Sequence, residues 1–219
     1  MIDFIQSETQ FFIFCLTTLF TLINPIGIAP LLLVMTERFS KQEKINIAWK
    51  GSFTAFFTLI LFSILGSVIF NVFGITIEAF QIMGGILFFR NGIRMLEVKV
   101  GRSRTTPAEQ EESQESDDIA ISPIGIPLIA GPGAITAAML LSSQTQQFYS
   151  YVTLGLSIFL VLSLVYLILR NGDVLMNVLG TTGMRIIQRL MGLILLVIAV
   201  QFVINGAVSV ITPLISPSF

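Results

Sequence analysis

Histidine is absent from this chain of 219 residues, and cysteine occurs once, at Cys15. No Ser-His-Asp triad, His-bearing metal site or histidine proton relay is therefore available, and no intramolecular disulfide. Charge is scarce as well: 11% of residues are Asp, Glu, Lys or Arg, where a soluble domain carries about a quarter. The net charge of −1 gives no basic surface for nucleic acid. The opening Met1-Ile2-Asp3-Phe4 has no basic residue before its apolar run, so it reads as a retained first helix and not as a cleaved signal.

What the chain has in abundance is apolar sequence, 54% of the total. It falls into runs near the ~20 residues a membrane-spanning helix needs. Six spans are predicted, at roughly 9–36, 48–71, 75–97, 119–143, 150–170 and 186–212. All 12 basic residues then lie on one side. Arg38, Lys41, Lys44 and Lys50 follow span one, and Arg90, Arg94, Lys99, Arg102 and Arg104 end or follow span three. Arg170, Arg185 and Arg189 surround the connection of spans five and six. The positive-inside rule makes that side cytoplasmic and puts both termini outside. Residues 98–118 contain Glu109, Glu111, Glu112, Glu115, Asp117 and Asp118 among Ser, Gln and Pro. Such a segment cannot bury an apolar face, so it reads as a cytoplasmic linker between a first repeat, 1–97, and a second, 119–219. Three spans per repeat re-enter the membrane in the opposite sense. The expected fold is therefore an all-α membrane protein of two inverted three-helix repeats.

Helices one and four are expected to be broken. Asn24-Pro25-Ile26-Gly27-Ile28 is echoed by Ser122-Pro123-Ile124-Gly125-Ile126, and Gly131-Pro132-Gly133 follows. Proline deletes a backbone donor and obstructs the preceding turn. At membrane depth, the polar groups so freed must find other partners. A helix restarting after such a break aims N–H groups and a positive dipole end at it. Thr17, Thr21 and Asn24, at i, i+4 and i+7, form a stripe leading into the first break; hydrogen bonds within the helix are the simpler account of Thr17. Gln201 in span six is a further polar group at depth, with interior facing and inter-helix bonding as alternatives. No Asp or Glu lies at the centre of a span: Glu78 and Glu97 flank span three, and Asp173 lies in a loop. That argues against a cationic substrate and names no ion-coupling residue. Without histidine or a central carboxylate there is no catalytic set, metal site or cofactor site to propose. A site of dipoles, amides and hydroxyls suits a small zwitterionic solute.

The Asn-Pro-Ile-Gly break, the run Ile126-Pro127-Leu128-Ile129-Ala130-Gly131-Pro132-Gly133-Ala134-Ile135 and Arg189-Leu190-Met191-Gly192-Leu193-Ile194 resemble the MarC family of prokaryotic inner-membrane proteins. The resemblance implies six spans in inverted repeats and transport of small neutral amino acids such as glycine and alanine; it does not say whether an ion is coupled. It puts Asn24, Pro25 and Gly27 on one motif and Pro123, Gly131, Pro132 and Gly133 on the other, with Gly125 where many relatives carry alanine. The expected partners are the solute and the lipid bilayer, and a homo-oligomer is left open. An exporter of amino acids or drug-like solutes, and a non-transporting accessory membrane protein, are the alternatives.

Overall fold

The computed structural model describes residues 2–97, 120–145 and 147–215, so the acidic linker expected at 98–118 lies outside the described residues. Among these residues every regular element is a helix: α1 (Ile2–Ile23), α2 (Pro25–Met35), α3 (Lys41–Phe73), α4 (Ile77–Glu97), α5 (Ala120–Ile129), α6 (Pro132–Ser143), α7 (Phe148–Arg170) and α8 (Gly172–Ile215).

Local chemistry accounts for the ends. α3 begins with a reciprocal cap. The Ser40 N–H donates to Glu43 Oε2 at 2.7 Å, and the Glu43 N–H donates to Ser40 Oγ at 3.4 Å. It ends at Gly74, whose φ of 62° is the left-handed geometry glycine accepts at a helix terminus. The residues before three prolines leave the helical region, as the proline ring requires. Ser122 (φ −132°, ψ 126°) and Ile126 (φ −134°, ψ 126°) interrupt α5. Gly131 (φ −73°, ψ 167°) separates α5 from α6. Together these leave the two helices bent by 59°. α8 has one interruption, at Gly180, with φ 59° and ψ −179°.

Glu8–Met35, Lys41–Phe73, Phe148–Arg170 and Gly172–Thr212 are each long and apolar enough to cross a membrane, and the bent pair α5–α6 makes a fifth candidate. α4, the third span expected from the sequence, falls outside that set. It is a 21-residue helix, and Glu78, Arg90, Arg94 and Glu97 lower its apolar character. The outward face of α3 carries Trp49, Phe53, Phe57, Leu61, Ile64, Val68 and Val72, all at least half exposed. Their spacing of three or four residues is one continuous apolar stripe, the surface a lipid-facing helix presents.

The repeats 1–97 and 119–219 are not separate packing units. α3 packs on α5, α6 and α7, while α7 packs on α1 and α2; α4 packs on α6 and α8, and α8 also on α1 and α2. Nearly every substantial contact thus joins a helix before the acidic segment to one after it. The α4–α8 seam is antiparallel and built on small residues. A β-carbon at Gly85 would stand 2.7 Å from the Ala199 carbonyl oxygen, one at Gly92 3.0 Å from that of Gly192, and one at Gly206 2.9 Å from that of Glu78. In lipid, where burial of apolar surface drives little association, such close backbone approach is the main source of helix pairing. Polar clasps join the halves as well. The Ser142 hydroxyl donates to the Ser63 carbonyl, and Glu8 accepts from the hydroxyls of Ser150 (3.0 Å) and Thr153 (2.9 Å).

Candidate functional site

At the first break a single residue interrupts the helix, and Glu8–Met35 still runs as one candidate span. Asn24 adopts φ 52° and ψ 62°, a left-handed conformation that asparagine tolerates better than most side chains. Its N–H still donates to the Phe20 carbonyl at 2.9 Å, closing α1. Its side-chain Oδ1 accepts from the Gly27 N–H at 3.2 Å, so the same residue caps α2. Pro25 occupies the first position of α2, where a missing N–H costs nothing, yet it cannot donate to the carbonyl of Thr21. Pro30, inside α2, likewise denies the carbonyl of Ile26 its helical donor. Thr21, Asn24 and Pro25 are buried.

Gly27 is the tightest point. A β-carbon there would collide with Asn24 Nδ2 and stand 3.1 Å from Nε2 of Gln188, on α8. Gln188 is buried, and its Oε1 has no hydrogen-bond partner; the hydroxyls of Thr18 and Ser52 are the other buried side-chain groups without one among the described residues.

The second break has a parallel construction. Gly131 precedes α6, Pro132 takes its first position and Gly133 its second. Pro132 leaves the Leu128 carbonyl without its helical donor. A β-carbon at Gly133 would stand 3.1 Å from Asn91 Nδ2, on α4, and 3.3 Å from Leu22 Cδ2, in the last turn of α1. The start of α6 therefore rests against the end of α1 just before Asn24. Each restarting helix has a first-turn glycine turned toward a carboxamide of the other half, Gln188 in one case and Asn91 in the other.

Of the residues expected to form a site, the structure thus gathers Thr21, Asn24, Pro25 and Gly27 at one break and Gly131, Pro132 and Gly133 at the other. Pro132 itself is exposed. Gly125 has a different role. A β-carbon there would stand 2.9 Å from Thr54 Cβ, so its bareness serves the packing of α5 on α3. The side chain of Pro123 lies outside the described residues. Interior facing of Gln201 is corrected: it is exposed on α8, and its Nε2 donates to Asn205 Oδ1 at 2.7 Å, one turn along the same face. The buried side of α8 at that level is taken by Ala199 and Phe202. Thr17 donates to the Ile13 carbonyl at 2.6 Å, the local bond expected of it. Gln188 and Asn91 are the residues the sequence did not single out. Each adjoins an arginine, Arg189 or Arg90, and so looks like part of a membrane boundary.

A hollow of about 430 Å³ lies away from the breaks, at the far end of α6, roughly 15 Å from Gly131 by helix rise. Ser67, Asn71, Glu78, Ser142, Ser143 and Tyr151 are among its walls.

Two uncharged helix restarts thus lie close together in interrupted apolar helices, with Asn24, Pro25 and Gly133 buried and Pro132 exposed. Residues 9–211 match the MarC family integral membrane proteins. The chain is 36% identical over 203 residues to a UPF0056 membrane protein of Methanocaldococcus jannaschii, covering 91% of this chain and 97% of that protein. It is 36% identical over 198 residues to the UPF0056 membrane protein YvbG of Bacillus subtilis, covering 90% and 94%. A UPF0056 membrane protein of Aquifex aeolicus is 33% identical over 206 residues, covering 94% and 96%. No solved structure matches the chain. The chain belongs to the MarC family and is an integral membrane protein.

Proposed function

We propose that this MarC family protein is a secondary transporter that moves small neutral amino acids, of the glycine and alanine type, across a prokaryotic inner membrane by alternating access. The observation that carries this reading is the meeting of the two breaks, with Gly133 set against Leu22. Helix N-termini offer N–H groups to a carboxylate. The carbonyls of Thr21, Ile26 and Leu128, denied their helical donors by Pro25, Pro30 and Pro132, offer acceptors to an ammonium. No formal charge is needed from the protein, which suits a zwitterion.

In this reading α1–α2, α3 and α4 are spans one to three, and α5–α6, α7 and α8 are spans four to six. The packing supports an inverted repeat. Span two lies on span four as span five lies on span one, and span three lies on span four as span six lies on span one. With all basic residues cytoplasmic, both termini and the hollow near Glu78 face outside, and that hollow is the outer entrance. Because the halves interleave, the moving bodies are not the two sequence halves. One body joins α3 to α5–α6, the other joins α7 to α1–α2, and the glycine seam of α4 and α8 runs between them.

The test is exchange of radiolabelled glycine or alanine by purified protein in liposomes. Saturable counterflow above that of empty vesicles is expected. Its absence across a panel of neutral amino acids overturns the proposal. A membrane-impermeant thiol reagent applied outside should label a cysteine placed at Ile75 in a chain lacking Cys15; labelling only after permeabilisation overturns the orientation.

A further inference from the structure

Gln188 is only 7% exposed. It stands on α8 beyond the Gly180 break, and its Nε2 lies 3.1 Å from the place a β-carbon would take at Gly27. Its Oε1 is buried and accepts no hydrogen bond from the protein. A carboxamide has two donors and an oxygen with two lone pairs. Burying that oxygen unpartnered is costly, whereas methionine of similar shape would fill the same space at no such cost. The amide is therefore stationed at the start of α2 for a donor that the chain does not supply. α2 is an 11-residue helix with Pro25 at its first position and an asparagine cap; Asn24 holds the N–H groups of Gly27 and Ile28, which leaves the Ile26 N–H and the positive dipole end of the helix at the same place.

We infer that Gln188 is a specificity-determining residue of this site, and that it selects solutes with an amino group beside a carboxylate. This rests on the carrier reading above. The ammonium of the bound solute donates to Gln188 Oε1 while the carboxylate lies on the first turn of α2. Both ends of an α-amino acid are met within the reach of one small molecule.

The experiment compares glycine with glycolate, which keeps the carboxylate and replaces the ammonium by a hydroxyl, in proteoliposome exchange. Wild-type protein should prefer glycine. Gln188→Met should raise KM for glycine about tenfold or more, the loss of one charge-assisted hydrogen bond, and should leave KM for glycolate nearly unchanged. The preference then collapses, which a merely structural defect would not do selectively. Gln188→Glu, which keeps the shape and the acceptor oxygens, should retain or increase the preference for glycine, and it serves also if the methionine variant fails to insert. Gln201→Met, on the exposed face, should change neither value. A wild type that discriminates, with the ratio unaltered in Gln188→Met or lost in Gln188→Glu, overturns the role of Gln188 alone. A wild type that moves neither solute nor any other neutral amino acid overturns the carrier reading, and this assignment with it.

Discussion

Gly27→Ala separates the site from the scaffold more cleanly than any other single change. The backbone at Gly27 is helical, so alanine fits its dihedrals. The added methyl, however, collides with Asn24 Nδ2 and would stand 2.9 Å from Asn24 Cγ. The Asn24 backbone cannot retreat, because its carbonyl holds the N–H groups of Gly27 (2.9 Å) and Ile28 (3.1 Å). The amide must swing away, and its bond to the Gly27 N–H is lost. Losing a side-chain cap costs about 1 kcal/mol. Replacing a helical glycine by alanine returns roughly 0.5–1 kcal/mol. Stability should thus change by less than about 1 kcal/mol. Binding should suffer more. Displacing one hydrogen bond to a charged solute group costs about 1.5–3 kcal/mol, or roughly ten- to a hundredfold in affinity. The assay pairs KM for glycine exchange in proteoliposomes with thermal unfolding of the same preparation in detergent. A stable variant with an unchanged KM would refute the reasoning, because it would mean that neither Asn24 nor the start of α2 touches the solute. A variant destabilised by several kcal/mol would refute the bookkeeping of caps and propensities.

Further outcomes follow from other parts of the structure. Gly85→Leu or Gly92→Leu should force α4 and α8 apart, since carbonyl oxygens lie within 3.0 Å of the new β-carbons; overpacking of this kind costs about 1–3 kcal/mol, measurable as a lowered unfolding midpoint in detergent. Ser40→Ala should remove about 1 kcal/mol by opening the reciprocal cap with Glu43, with transport unchanged at a temperature where the variant is folded. Asn91→Leu should impair exchange, because its amide faces the first turn of α6; an unchanged KM would remove that break from the solute path. Gly125→Val should be read out as a stability defect and not a selective KM change, because the space it fills belongs to Thr54 of α3.

Much of the first break was legible from the order of residues. An asparagine followed by proline inside an apolar run leaves few backbone options, and Asn24 takes one of them. The Gly131-Pro132-Gly133 restart was legible for the same reason. Neighbourhood across helices was not. Spacing shows that Thr17, Thr21 and Asn24 share a face, but it does not say that Gln188 comes from α8 to meet Gly27. Two carboxamides of the same chemical type thus had opposite fates. Gln201 stands in the heart of an apolar run and points outward, whereas Gln188, next to Arg189, is buried. The difference is the rotation of α8 about its own axis, set by the glycines of its seam with α4. Gly125 misled similarly: within a motif it looks like part of a ligand site, and in three dimensions it lets another helix approach. Hydropathy also divides α4 from its neighbours, because the charges near its ends obscure an apolar centre.

The interleaved packing has a consequence for how this protein is made. When α4 emerges from the ribosome, α7 and α8, which pack on α1 to α4, have still to be made. Lipid, or an insertase, must shield the seam glycines and the polar clasps until α5 to α8 arrive. A chain stopped at residue 97 should accordingly be cleared by proteolysis, whereas two fragments divided within 98–118 and synthesised together should find each other and survive. For such a chain, the birth of the second half is the step at which the first acquires a structure.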